Sequence, residues 1–217
     1  MMDVSGNNIK IVDIAPEEDG DYTFTRKAKN EAVISLAHSV SGYDKASESF
    51  HYGISHATHM FNAMSGFHHR DPGAVGAIFD NDKVTAEIIC DGYHVHPAVL
   101  RTVFKYMGDR LAVISDSMSA GGLGEGDDFY LGGQKVSVKD GMAHLSDGTI
   151  AGSVTNLYDE ICNLVKFGIP LEKAVKSATI IPAQIIGIDD ITGSIKAGKK
   201  ADIVVMDKKL NIAAVYH

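Results

Sequence analysis

The sequence predicts an α/β fold built on a parallel sheet. Short apolar runs of strand length alternate with segments of helical periodicity, and glycines with one well-placed proline mark the joins between them. Several apolar runs end in a histidine or an aspartate. A strand that ends in such a side chain and opens into a polar loop is how barrel enzymes assemble their sites.

The elements follow in order. Ile9 to Ile14 reads as a strand that stops at Ala15-Pro16-Glu17, and Glu31 to Ala37 as a second. A short helix spans Asp44 to about His51, and a strand runs from Ile54 to Thr58. Gly66 to Gly76 reads as a glycine-rich loop, because glycine at that density favours turns over regular structure. Val84 to Cys90 is the next strand, and Pro97 opens a helix to about Met107, since proline at the first helical position loses no hydrogen bond. Leu111 to Ser115 closes that unit.

The pattern changes to period two at Lys135 to Lys139 and Met142 to Leu145, which flank Asp140-Gly141, a strong hairpin turn signal. Helical patterns return at about Val154 to Phe167, Leu171 to Ser177 and Pro182 to Ile186. Gly193 to Asp207 gives a turn and one strand, and no internal repeat interrupts the series.

A chain of 217 residues, 45% hydrophobic and 22% charged, is long enough to bury a substantial core. Its formal charge of −8, without a Lys/Arg cluster, argues against a nucleic-acid partner. No apolar run approaches the roughly 18 residues of a membrane span, and Met-Met-Asp-Val-Ser is not a secretory signal, so a cytoplasmic location away from membranes is expected. Cys90 and Cys162 lie far apart in apolar contexts, as buried free thiols do.

His38, His59, His94 and Asp116 each close an apolar run. Neutral imidazoles bind divalent metals, and a carboxylate can move protons. Read singly, each has a plainer explanation: a polar residue finishing a strand for either His38 or His59, a surface histidine for His94, an Asx turn for Asp116. Arg70 carries a planar fork suited to phosphate, or is a solvated loop charge.

Six motifs in one order resemble the N-acetylglucosamine-6-phosphate deacetylase family of the amidohydrolase superfamily, over roughly residues 10 to 207. They are Leu36-Ala37-His38-Ser39, the run Ala57-Thr58-His59-Met60-Phe61-Asn62-Ala63-Met64, Arg70-Asp71-Pro72-Gly73, Asp91-Gly92-Tyr93-His94, Ser115-Asp116-Ser117-Met118 and Thr149-Ile150-Ala151-Gly152-Ser153. The resemblance implies a partial (β/α)8 TIM barrel over residues 1–192 with a β-hairpin insertion at about 129–147, and a carboxy-terminal remnant of a small β-sandwich over 193–217. It also implies early barrel strands and a metal-binding glutamate upstream of the first residue here.

By the same resemblance, His38 and His59 are ligands of one divalent metal ion, Zn or Fe, and Asp116 is the general base. His94 contacts substrate near the reacting acetyl group, and Asn62, Ala63, Arg70, Ile150, Ala151 and Gly152 face the substrate. His96, in His94-Val95-His96, is not expected to be a ligand. The family's usual glycine is replaced by Ala37, and Ser39-Val40-Ser41-Gly42-Tyr43 departs from its usual pattern, which bears on the loop more than on the ligand. The implied activity is metal-dependent hydrolysis of the N-acetyl group of N-acetylglucosamine 6-phosphate to glucosamine 6-phosphate and acetate. A catalytically inactive barrel fragment and a cyclic amidohydrolase are the alternatives. A partial barrel exposes edge strands, so a homo-oligomer, a dimer, is expected.

Overall fold

The computed structural model describes residues 5–118, 121, 128–131, 133–139, 142–145 and 150–217. Five strands form one parallel sheet in sequential order: β1 (Ile11–Ile14), β2 (Val33–Leu36), β3 (Ile54–Ala57), β4 (Thr85–Ile89) and β5 (Leu111–Ile114). Pairs such as Ile14↔Leu36, Leu36↔Ala57, Ala57↔Ala86 and Ile89↔Ile114 set the register. Sequential parallel order requires a crossover after every strand, and helices supply it.

Three crossovers are α1 (Thr23–Ala28), α2 (Tyr43–Tyr52) and α3 (Gly73–Asp80), and the fourth is α4 (Pro97–Met107). In α4, Leu100, Val103, Phe104 and Met107 form the i, i+3, i+4, i+7 stripe that faces the sheet. Pro97 begins it, and His96 caps it by accepting from the Ala98 N–H at 3.2 Å. His96 Nδ1 is therefore engaged by the backbone. Sheet residues Ile34, Leu36, Ile54, Ile88 and Leu111 pack with helix residues Ala46, Ala74, Ile78, Leu100 and Val103 in one buried cluster. Each fully buried large aliphatic there contributes about 1.5–3 kcal/mol.

A second sheet holds β6 (Asp128–Leu131), β7 (Gln134–Lys139), β8 (Met142–Leu145) and β9 (Ile150–Gly152), all antiparallel neighbours. Lys139 pairs with Met142 as a two-residue connection requires, although Asp140-Gly141 itself lies outside the described residues. Helices α5 (Leu157–Lys166), α6 (Leu171–Ser177) and α7 (Ile180–Ile185) follow, then an antiparallel pair, β10 (Ile203–Met206) and β11 (Ile212–Tyr216). The chain is thus an α/β protein carrying part of a (β/α)8 barrel. Among the described residues, no helix is long and apolar enough to cross a membrane.

Three elements correct the expectation from sequence. Helix α1 is only six residues long, too short for a periodic signal, and is organised from outside by the Asp19 carboxylate, which accepts from the Phe24 and Thr25 N–H groups. Helix α3 occupies what reads as the end of a glycine-rich loop; Gly73 to Ile78 are all buried, so close packing overrides the poor helix propensity of glycine. Strand β11 accompanies β10 where one strand was expected, and its largely exposed residues show no in–out alternation.

Gly73 is the joint of the β3–α3 connection. Its φ is +60°, and a Cβ there would lie 2.5 Å from the Gly66 carbonyl oxygen and 2.7 Å from that of Ser65. Both obstacles are backbone, so nothing swings aside. Gly73→Ala is expected to lower stability by about 2–3 kcal/mol in denaturant unfolding. Gly20→Ala, where the added methyl meets no atom within 4 Å, is the near-neutral control.

Candidate active site

Parallel strands in sequential order place their carboxyl ends along one edge of the sheet, and the sequence hangs its reactive side chains there. His38 follows β2, His59 follows β3, His94 follows β4 and Asp116 follows β5. Three of the four have positive φ: His38 at 48°, His59 at 32° and Asp116 at 44°. Such backbone is uncommon for residues with a Cβ and costs roughly 1–3 kcal/mol each. It turns the chain sharply away from the strand at the residue whose side chain is on offer.

The His38 and His59 Nε2 atoms face each other at 3.0 Å, with ring planes 68° apart. His38 is exposed and His59 is buried. That spacing suits neighbouring ligands on one metal with bonds of about 2.0–2.1 Å. The buried His59 Nδ1 has no hydrogen-bond partner, so no neighbour fixes its tautomer. Among the described residues, no group of three or more His, Cys, Asp or Glu side chains gathers around a common point. The two imidazoles therefore fit two positions of a metal site.

A hydroxyl clasp holds the loop that presents His38. The Glu17 carboxylate accepts from Ser39 Oγ and the Val40 N–H, each at 2.7 Å, while Ser39 Oγ meets Ser41 Oγ at 2.6 Å. Burial opposes the charge on Glu17, but these donors prevail and hold its pKa below the usual carboxylate value. Ser65 extends the clasp, donating to the Ser41 carbonyl while its Oγ accepts from the Ala74 N–H. Behind the strand ends, Thr58 Oγ1 donates to Asp13 at 2.7 Å and meets Ser35 Oγ at the same distance.

At the end of β4, Asp91 accepts the Tyr93 and His94 N–H groups at 2.8 and 2.9 Å through one oxygen, and His94 Nδ1 at 2.6 Å through the other. The His94 hydrogen bond to Asp91 raises the imidazole pKa above its ordinary 6.5 against the opposing effect of burial, and Asp116 adds to the rise. Burial disfavours charge on Asp91, yet the bonds from His94 and the two backbone donors outweigh it and lower its pKa.

The remaining residues are placed as follows. Asn62 directs its amide donors to the His59 and Met60 carbonyls, at 3.2 and 3.4 Å, so it braces its own turn. Ala63, with φ of 49°, lines a cavity of about 460 Å³ together with His38, Val40, Met64 and Ser65. Arg70 is exposed, and among the described residues its guanidinium makes no hydrogen bond or ion pair. The backbones of Ile150, Ala151 and Gly152 form β9. A Cβ on Gly152 would meet Met118 Sδ at 3.3 Å, and Ser117 bridges to Ser153, so β9 lies against the loop that follows Asp116.

A slightly larger cleft, about 470 Å³, lies between Asp91-Gly92-Tyr93 and α5, and the strand-end histidines do not line it. The smaller cavity is chemically the more informative, because His38 opens into it. No hydrogen bond joins Asp116 to the imidazole pair among the described residues. Sequence reasoning missed Asp91, Glu17 and Ser65. Only the Asp-x-x-His spacing at 91–94 carried a readable sign, that of an Asx turn.

The Asp91–His94 pair makes a pH-dependent contribution to stability. The part from His94 is fully present below about 6.5 and is lost as pH rises through its raised folded pKa; the part from Asp91 is present above 3.8 and is lost as pH falls through its lowered one. Asp91→Asn is expected to move the His94 midpoint, followed by NMR, down towards the ordinary value. Asp91→Ala is expected to cost about 2–3 kcal/mol near neutral pH by stranding buried donors.

Residues 18–216 match the family model described as "Amidohydrolase family". The chain is 32% identical to the N-acetylgalactosamine-6-phosphate deacetylase of Escherichia coli, over 98% of this chain and 57% of the relative. It is 37% identical to the N-acetylglucosamine-6-phosphate deacetylase of Bacillus subtilis, over 96% of this chain and 53% of the relative. The crystal structure of N-acetylglucosamine-6-phosphate deacetylase from Pasteurella multocida superposes with a TM-score of 0.92 at 32% identity, covering 99% of this chain and 57% of that one. The chain thus spans just over half the length of these relatives. With strand-end histidines on one edge of a parallel sheet and a family match along nearly its whole length, this chain belongs to the amidohydrolase family.

Proposed function

We propose that this chain carries the catalytic edge of a metal-dependent deacetylase that releases acetate from N-acetylglucosamine 6-phosphate and leaves glucosamine 6-phosphate. The approach of His38 Nε2 to His59 Nε2 at 3.0 Å carries the reading. Those two atoms would hold a divalent cation, Zn or Fe. When bound, such an ion supplies a Lewis acid and lowers the pKa of water towards about 7.

Every other step falls to side chains of this protein. Asp116 accepts a proton from the attacking water, and as the C–N bond breaks it returns that proton to the departing amine. His94 stands over the acetyl carbonyl. Its Nδ1–H is committed to Asp91, so only the imidazolium can donate from Nε2 to the developing oxyanion, and the raised pKa of His94 favours that form. Arg70, exposed and unpaired among the described residues, offers two parallel donors to the 6-phosphate. Asn62 and Ala63 shape the turn beside the imidazoles, and the backbone of β9, with Gly152, borders the loop after Asp116.

One observation favours the second reading, a folded portion of a deacetylase without turnover of its own: no third donor joins His38 and His59 among the described residues. Metal analysis with an acetate-release assay decides between them. Near-stoichiometric Zn or Fe with release of acetate supports the enzyme, and His38→Ala and His59→Ala should then each lower metal content and reduce turnover at least about 100-fold. Metal-free protein that releases no acetate after Zn or Fe is added supports the second reading. Since relatives are named for both N-acetylglucosamine and N-acetylgalactosamine phosphates, both sugars belong in the assay.

For the active protein, Arg70→Ala should raise KM for the phosphorylated sugar by about 10- to 100-fold and leave that for the unphosphorylated sugar unchanged. Equal effects on both would refute the phosphate role.

A further inference from the structure

Glu160 lies in the first turn of α5 and is fully buried, although nothing in the proposed reaction calls for a carboxyl there. Its Oε1 accepts from Thr155 Oγ1, and its buried Oε2 has no hydrogen-bond partner. Thr155 Oγ1 also meets Ser153 Oγ at 2.6 Å. Ser153 bridges to Ser117, and its carbonyl accepts the Met118 N–H at 3.0 Å. A continuous polar chain therefore runs from the loop beside Asp116 to the Glu160 carboxyl. On its other side, Glu160 faces the end of β4, where Cys90, Asp91 and His94 sit.

We propose that Glu160 is a positioning residue of the active site, binding the loop after β9 to the carboxyl end of β4 and setting the charge carried by His94 through its own protonation. This rests on His94 being the substrate-facing histidine of the proposed reaction.

The charges around the pair are few. Glu160 faces Asp91 and the Cys90 thiol from β4 and its connection to α4, with Thr155 from its own loop. His94 faces Asp91 in its own loop, Asp116 from the end of β5 and Glu160 from α5. Burial drives the Glu160 pKa up and the nearby Asp91 carboxylate reinforces it, while the Thr155 bond, the Cys90 backbone donor and the His94 charge only partly offset both, leaving it at about 7. Near neutrality, Glu160 thus alternates between a neutral strap and an anion that draws a proton towards His94. Because the folded value lies above the ordinary 4.5, stability from this group is present below 4.5 and declines as pH rises to about 7.

The test needs neither substrate nor metal, so failure of the deacetylase reading would leave it legible. The His94 ring protons of the intact chain are titrated by NMR in wild type and in Glu160→Gln, whose carboxamide copies the shape of the neutral acid. The wild type should show a second inflection near pH 7 that vanishes in E160Q, with the main His94 midpoint moving down. Folded E160Q whose His94 titration overlays the wild type would overturn the proposal.

Should E160Q fail to fold, the wild type labelled with ¹³C at its Glu carboxyls gives the answer directly. A Glu160 midpoint near neutrality supports the proposal, and one in the ordinary carboxylate range overturns it. Thr155→Val should raise that midpoint by removing a donor to the anion; an unchanged midpoint would overturn the strap.

Discussion

The parallel pairing of β2, β3, β4 and β5 in sequential order is the constraint on which everything else rests. Side chains distant in sequence reach one edge only because each crossover returns the chain to start the next strand at the same end. An antiparallel neighbour would send every second loop to the opposite edge. His59 would then lie a full strand length from His38, and no adjustment of side chains could bring their Nε2 atoms to 3.0 Å. Burial of Ile34, Leu36, Ile54 and Ile88 holds the sheet together, and the geometry of the edge follows from it.

Strain at that edge is offset locally. His38 and His59 adopt backbone that residues with a Cβ avoid; the His38 loop is gripped by side chains outside the strands and the His59 loop by a backbone bond to β4. Glu17 and Ser65 bind the His38 loop from two other connections, and the Met60 N–H is tied to the Glu87 carbonyl on β4 at 2.8 Å. Each hydrogen bond to the charged Glu17 contributes about 1.5–3 kcal/mol, which is the scale of the strain opposed. The departures from family pattern at Ser39 and Ser41 become intelligible here, since both hydroxyls belong to the clasp.

Most of the α/β framework was legible from sequence because its strands are apolar and their ends are marked. The helix beginning at Pro97 was plain from its stripe and its proline, whereas α3 was hidden: Gly73 to Ile78 are buried without interruption, so no periodic contrast survives. The strand-end histidines and Asp116 were visible for the same reason as the strands. Their partners were not. Glu17 lies 22 residues from Ser39 and 23 from Val40, and such a pairing is fixed only once β1 and β2 are adjacent. Glu160 was invisible too, since an acidic residue in the first turn of a helix is ordinary there and only burial makes it unusual.

The edge is electrostatically divided along its length. Among the described residues, the β2–β3 end offers a pair of imidazoles with no carboxylate hydrogen-bonded to either, whereas the β4–β5 end gathers Asp91, Asp116 and, from α5, Glu160 around one histidine. Like-charged carboxylates in a shared low-dielectric region cannot all ionise cheaply. Asp91 takes the charge, because it has three donors, and the proton is left to Glu160, on which burial outweighs the Thr155 and Cys90 donors. Both act on His94, whose pKa is raised chiefly by its hydrogen bond to Asp91. One sheet edge thus carries two chemically distinct surfaces, an imidazole pair at one end and a carboxylate cluster around a single histidine at the other, because neighbouring crossovers deliver different side chains to it.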